Sequence, residues 1–238
     1  MTTDAASPLV TGAPASLDRL TVLVPEDAAT ASLSEQAYYV LRDRIVTLQL
    51  APGTLVNERT LMAETGFGRT PIREALRRLA DEDLVEVHPR RAIHVTPVDV
   101  GDLRAISELR VELEGFVARL AARRGNERDR TDLARLLEET SGTDGAAAQR
   151  DLIELDQRIH RVIRRAAHNP FLEAALDRSY VLALRLWFLA LDRVPRLEDA
   201  VHEHEQLLRA ILAGEADAAE AIARDHVAGF EHQIRQLL

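Results

Sequence analysis

The sequence predicts a mainly α fold in two parts: a small helical unit closed by one β-hairpin, then an all-α antiparallel bundle of about six helices. Two observations point there. Apolar residues recur at three- and four-residue intervals through most of residues 33–237, and Gly, Pro and Asn-Pro breaks separate the runs. Strand-like alternation of apolar and polar residues is confined to "LVEVHP" (Leu84–Pro89) and "AIHVTPV" (Ala92–Val98). A chain of 238 residues is long enough for two domains and for a core that needs no disulfide staples.

Residues 1–32 are rich in Ala, Thr, Ser and Pro without a sustained period, and read as a flexible N-terminal tail. A helix follows from about Ser34, with Tyr38, Leu41, Ile45 and Leu48 at helical spacing, and "APGT" (Ala51–Thr54) ends it in a turn. A short helix fits Glu58–Glu64. "TGFG" (Thr65–Gly68) then supplies two glycines for a tight turn. Thr70 is placed to cap a third helix, with Pro71 at its first position. The hairpin comes next. Helix, helix, tight turn, helix, hairpin over residues 33–98 is the order of a winged helix-turn-helix. From residue 99 to 238 six helices are expected, near 99–124, 128–141, 149–167, 170–191, 196–213 and 215–237, and no strand. Along the first of these, Leu103, Ile106, Leu109, Leu113, Phe116 and Leu120 form one apolar stripe.

Charge is unevenly spread. The formal net charge is -9, yet "GRTPIREALRRLADEDLVEVHPRR" (Gly68–Arg91) holds Arg69, Arg73, Arg77, Arg78, Arg90 and Arg91. Helical spacing puts Arg69, Arg73 and Arg77 on one face and leaves Ile72, Leu76 and Leu79 to pack inward. A helix N-terminus bearing arginines suits DNA, because the dipole attracts phosphate and Arg bonds guanine bidentately. The competing reading is a solvated face of arginines paired with Glu74, Asp81 and Asp83. An acidic remainder limits non-specific affinity for DNA. There is no cysteine, so any metal site must use histidines and carboxylates. No signal peptide or apolar run long enough to span a bilayer is visible, so a cytoplasmic protein with no membrane partner is the expectation.

The helical half carries a second pattern. On the 149–167 helix, Leu152, Leu155, Ile159, Ile163 and Ala167 define the buried stripe, with Asp156 inside that arc and His160 at its edge. His204 falls on the stripe of Val201, Leu208 and Ile211, and His226 on that of Ile222, Phe230 and Ile234. A lone carboxylate among aliphatic residues is costly to bury. Three imidazoles and one carboxylate converging in one bundle suit a divalent cation such as Zn, Ni, Mn or Fe. For any one inward histidine, a hydrogen-bonded core residue is the simpler reading; four together favour the metal.

"ERTLMAETGFGRTPIREALRRLADEDLVEVHPRRAIHV" resembles the winged helix-turn-helix of the GntR family of bacterial transcription regulators. The resemblance implies that Arg59, Arg69, Thr70 and Arg73 contact operator DNA. It also implies that His88 lies where the wing reaches the minor groove, with Arg90 or Arg91 reaching a phosphate there. Gly68 stands where a Ser or Thr is usual, and "PRRA" lacks the usual wing-tip glycine. "LDQRIH" (Leu155–His160), "AAHNPFL" (Ala166–Leu172), "EHEQLLRAI" (Glu203–Ile211) and "RDHV" (Arg224–Val227) resemble the FadR subfamily and its all-helical FCD effector domain. That similarity implies a divalent metal on Asp156, His160, His204 and His226. It further implies that Arg110 faces the pocket and binds an effector carboxylate, the competing reading being an exterior salt bridge. His168 replaces a glycine before Asn-Pro and reads as a surface residue.

The function expected is therefore a ligand-responsive regulator rather than an enzyme: a homodimeric repressor, released from double-stranded operator DNA by a small carboxylate at the metal. Two alternatives stay open, a metal-dependent hydrolase built on the Asp/His cluster and a direct metal sensor. "HEHEQ" (His202–Gln206) resembles a zinc-protease motif only superficially, since Gln206 stands where the second histidine is needed.

Overall fold

The computed structural model describes residues 31–88, 92–143, 149–190 and 198–237. The chain divides into two compact units, Met1–Pro97 and Val98–Leu238. In the first unit, α1 (Leu33–Val46), α2 (Glu58–Thr65) and α3 (Arg69–Asp81) precede β1 (Val85–His88) and β2 (Ala92–Val95). Each start has a local cause. The Ser32 hydroxyl accepts the Glu35 amide, and the Asn57 side chain accepts the amides of Arg59 and Thr60. Gly66 ends α2 at φ 76°, a left-handed value that glycine adopts without a Cβ penalty.

One expectation at this turn is corrected. Gly68, not Thr70, is the N-cap of α3, and it gives no side-chain capping bond. Thr70 and Pro71 already lie inside the first turn, where the missing Pro N–H costs nothing because that donor has no partner within the helix. The strands pair antiparallel with Val85 opposite Val95 and His88 opposite Ala92. Leu55 bridges His94, so the segment before α2 lies along the hairpin. Tyr38, Leu41, Ile45, Leu61, Phe67, Ile72, Leu79, Leu84 and Val95 are buried together in this unit, each aliphatic among them contributing about 1.5–3 kcal/mol by its removal from water.

In the second unit the described residues form α4 (Asp102–Arg124), α5 (Glu127–Gly142), α6 (Gln149–Ala166), α7 (Pro170–Ala190), α8 (Glu198–Ala213) and α9 (Ala216–Leu237). Asn126 and Asp129 close a reciprocal capping box on α5. The Asn169 side chain accepts the amides of Phe171 and Leu172 at the start of α7. Helix α4 is central and packs most extensively on α9. A Cβ on Gly115 would sit 2.6 Å from Arg224 Cγ and 3.3 Å from the Glu220 carbonyl, so glycine is what lets the two helices approach.

The expected stripe of α4 is also corrected. Leu109 and Phe116 are 48% and 44% exposed, while Leu103, Ser107, Arg110, Glu114, Val117, Ala118 and Ala121 are buried. The inward face of α4 runs through polar residues because they are satisfied by one another and by α6. A reading of apolar positions alone therefore rotates the helix away from them.

Candidate functional site

In the second unit, α6 contributes Asp156 and His160 four residues apart, α8 contributes His204, and α9 contributes His226. Each of the four offers a ligand atom, and those atoms all lie within 4.8 Å of one another. His204 Nε2 is 3.4 Å from Asp156 Oδ1 and 3.4 Å from His160 Nε2, and His160 Nε2 is 3.6 Å from Asp156 Oδ1. Atoms bound about 2.0–2.2 Å from one cation are spaced roughly 3–3.6 Å when adjacent, so the spacing fits a shared ion. The three histidines are buried and Asp156 is largely so.

Two carboxylates orient the imidazoles. Glu114 Oε2 lies 2.7 Å from His160 Nδ1, and Glu203 Oε2 lies 2.7 Å from His226 Nδ1. Each carboxylate accepts the Nδ1 proton, which leaves Nε2 with a lone pair. For His160 that lone pair faces His204 Nε2 and Asp156. Converging lone pairs repel unless a proton or cation lies among them, and this makes the donor set fit a divalent metal chemically as well as by spacing.

Burial pushes the Asp156 carboxyl up, but its electrostatic interaction with the His160, His204 and His226 imidazoles, with the 2.5 Å hydrogen bond donated by Tyr180, holds it below its ordinary value. Burial likewise opposes ionisation of Glu114, and His160 and Arg110 outweigh it, keeping that carboxyl well below the usual range. For His204, burial and then the neighbouring His226 push the imidazole well below its ordinary value, against the pull of Asp156. Burial and Asp156 together push the Tyr180 phenol well up, so it serves as a hydrogen-bond donor. Ionised carboxylates beside a neutral His204 are what metal ligation requires.

Arg110 is buried and gives Nε and Nη2 to Glu114 Oε1 at 3.1 and 2.7 Å. It is thus not part of an exterior salt bridge. With Asp156, His160, Tyr180 and His226 it lines a small cavity of about 20 Å³, whose remaining wall is Ala183, Leu184, Trp187, Val227 and Phe230. Sequence reasoning missed Glu114, Glu203 and Tyr180, which act across helix interfaces. The only local signal was that Arg110 and Glu114 stand four apart. His168 lies apart from the cluster, exposed and bonded to Asp129 at 2.7 Å. His202 is exposed and pairs with Gln206 on its own helix, so "HEHEQ" assembles no second site.

In the first unit, Arg59, Arg69, Thr70 and Arg73 are all exposed, Arg59 on α2 and the others in the first turns of α3. The Arg73 guanidinium lies 3.0 Å from Glu58, which braces it across α2 and α3. Of the acids that could pair with this face, Glu74 bonds Ser34; Arg78 stacks 3.6 Å over the Tyr38 ring beside Glu82. His88, at the end of β1, is half exposed, 3.2 Å from Glu86 and edge-on to His94. Arg90 and Arg91 lie outside the described residues.

Among the described residues no helix is long and apolar enough to cross a membrane. Residues 33–95 match the family of bacterial regulatory proteins of the gntR type, and residues 105–229 match the FCD domain. The chain is 26% identical over 208 residues to the HTH-type transcriptional repressor RspR of Escherichia coli (strain K12), covering 87% of this chain and 91% of that one. It is 30% identical over 198 residues to a probable D-xylose utilization operon transcriptional repressor of Paenarthrobacter nicotinovorans, covering 80% and 85%. The solved structure of E. coli McbR/YncC shares the fold at a TM-score of 0.76 and 22% identity, over 87% of this chain and 98% of that one. With an exposed arginine-bearing helix in one unit and an FCD bundle in the other, this chain belongs to the GntR family of DNA-binding transcription regulators and is not an enzyme.

Proposed function

We propose that this protein is a FadR-subfamily repressor, working in the cytoplasm as a homodimer and released from its operator by a small carboxylate bound at a divalent metal. In this reading 33–98 read DNA, and 99–238 bind effector and dimerise; the tail expected over residues 1–32 falls, up to residue 30, outside the described residues. Asp156, His160, His204 and His226 would hold the metal, which when bound offers a Lewis-acidic docking point for a carboxylate oxygen. Arg110, held by Glu114, presents its guanidinium at the edge of the same cavity.

The observation that carries the reading is the charge balance of this pocket. The carboxylates of Glu114 and Asp156 are ionised and buried beside the cations of Arg110 and Arg164. Those charges offset one another, so a divalent ion leaves the cavity net positive and selective for an anion. The names of the relatives, RspR and the probable D-xylose operon regulator, support repression as the sign. Arg59, Arg69, Thr70 and Arg73 would contact the operator, with His88 and Arg90 at the wing. Carboxylate binding shifts operator affinity only through unequal affinity for two arrangements of the dimer, a coupling of about 1–3 kcal/mol in typical systems.

The test pairs elemental analysis with operator binding. His204→Ala is expected to lower metal content and abolish the response to acids while leaving metal-free DNA binding intact. Full metal content and full response in this variant would place the site elsewhere.

A further inference from the structure

In a helix-turn-helix the first turns of the second helix lie in the major groove, where side chains reach base edges. Arg59 on α2 and Arg69, Arg73 and Arg77 on α3 are all exposed. Of these four, Arg73 is the one anchored to a carboxylate among the described residues. Its Nε donates to both oxygens of Glu58, at 3.2 and 3.0 Å, and Glu58 is the first residue of α2. No other side chain among the described residues engages the Arg73 guanidinium, so both Nη groups stay free.

The atom that Glu58 takes decides what is left. A guanidinium can meet two acceptors sideways, through Nε and one Nη, or end-on, through the two Nη groups. With Nε occupied, the end-on fork remains, and by covalent geometry it lies across the guanidinium from Glu58. Guanine presents two neighbouring acceptors in the major groove, N7 and O6, that match such a fork. A phosphate oxygen pair matches it too, but the carboxylate separates the two partners. Phosphate is attracted by charge, which Glu58 offsets from 3.0 Å. A base edge is selected by geometry, which Glu58 supplies by restraining a long side chain before DNA arrives.

We infer that Glu58 is a positioning residue for base readout: it presents the Arg73 fork end-on to a guanine, making that arginine a reader of sequence rather than of phosphate. This rests on the proposal that the start of α3 contacts the operator. It goes further by naming the base and the residue that prepares its recognition.

The test uses full-length protein and a duplex that the wild type itself enriches from a random-sequence pool. Each guanine is replaced in turn by 7-deazaguanine, which carries C–H in place of N7 and still pairs with cytosine. Wild type should lose about tenfold in affinity at one of these guanines, the value of one charge-assisted hydrogen bond. Arg73→Ala should be blind to that replacement, within twofold. In Glu58→Ala the loss should shrink to within threefold, while affinity for an unrelated duplex is unchanged or higher, because a negative charge has left the DNA face. A merely structural role would lower affinity for both duplexes together, and that result overturns the inference. Glu58→Gln retains an acceptor for Nε without the charge, and should still lose about fivefold or more at the same guanine. A tenfold loss that persists in Glu58→Ala overturns the inference, as does Glu58→Gln discriminating no better than Glu58→Ala. If the enriched duplex binds but none of its guanines depends on Arg73, the inference falls and operator binding stands. If no duplex is enriched, the inference falls together with the function on which it rests.

Discussion

Glu114→Gln is the smallest change that should disable the proposed metal site, since it preserves shape and removes one charge. In the native protein one carboxylate oxygen takes both Arg110 contacts and the other takes His160 Nδ1. Glutamine has one acceptor oxygen and one NH2 group. Arginine cannot surrender a proton, so the amide oxygen must face Arg110 and the NH2 group must face His160. Nδ1 then has to accept, and the imidazole proton moves to Nε2, the atom facing Asp156 and His204. Loss of such an outer partner typically costs 10–100-fold in metal affinity, or about 1.4–2.7 kcal/mol. Stability falls as well. Breaking a buried ion pair costs about 3–5 kcal/mol, and the retained amide bond to Arg110 argues for the lower end. At about 2–4 °C per kcal/mol, the metal-free helical unit should melt roughly 6–12 °C lower. Competition against a chelator of known affinity measures the first effect, and thermal unfolding in EDTA the second. Glu203→Gln is the internal comparison: that carboxylate is 44% exposed, water can replace it, and the loss should stay below about tenfold. If Glu114→Gln binds metal within twofold of wild type and melts where wild type does, the assigned tautomer and its structural reasoning are wrong.

Three further outcomes are expected. Arg69→Ala or Arg73→Ala should weaken specific operator binding by about 1–3 kcal/mol in a fluorescence-anisotropy titration, with unchanged metal content and melting. Metal-free protein should lose stability on acidification, because the groups of the cluster that titrate there, His204, Asp156 and Glu114, are all shifted down. His204 is depressed, so its contribution is complete above the unfolded imidazole value near 6.5 and is lost as pH falls through the folded one, at up to about 1.4 kcal/mol per pH unit. Depressed Asp156 and Glu114 extend the loss below about pH 4, and a chelated sample whose melting temperature is flat from pH 7 to 5 would contradict this. Gly115→Ala should destabilise the bundle by about 1–2 kcal/mol in urea unfolding despite alanine's better helix propensity, because the new methyl meets Arg224 and the Glu220 carbonyl.

What could be read before the structure was local. Gly125, Gly142, Asn169-Pro170 and Gly214 break the helical runs where α4, α5, α7 and α8 begin or end, because chain-stopping chemistry acts within a few residues. His204 and His226 could be placed inward because each shares a 3.6-residue stripe with aliphatic neighbours. The misreadings arose where tertiary satisfaction overrides local preference. Leu109 and Phe116 look buried by type, yet the inward face of α4 passes through Arg110 and Glu114, whose partners are on that helix and on α6. Glu203 illustrates the same limit. It neighbours His204 in sequence but serves His226, and no spacing rule on one helix reveals a bond to another.

The ligand set also fixes a chain topology. Asp156 and His226 stand at the two ends of a segment of roughly seventy residues, and His204 divides it. An ion bound to all four would act as a reversible cross-link that closes this segment into two consecutive loops, and because it binds only the folded arrangement, its removal would withdraw that binding free energy from the fold. Neither α4 nor α5 supplies a ligand, and the first unit lies outside the loop altogether. Depleting the ion would therefore loosen the chain from α6 onward and leave the fold of the arginine-bearing helix as it was. Metal supply would then govern the persistence of the carboxyl-terminal half against proteolysis.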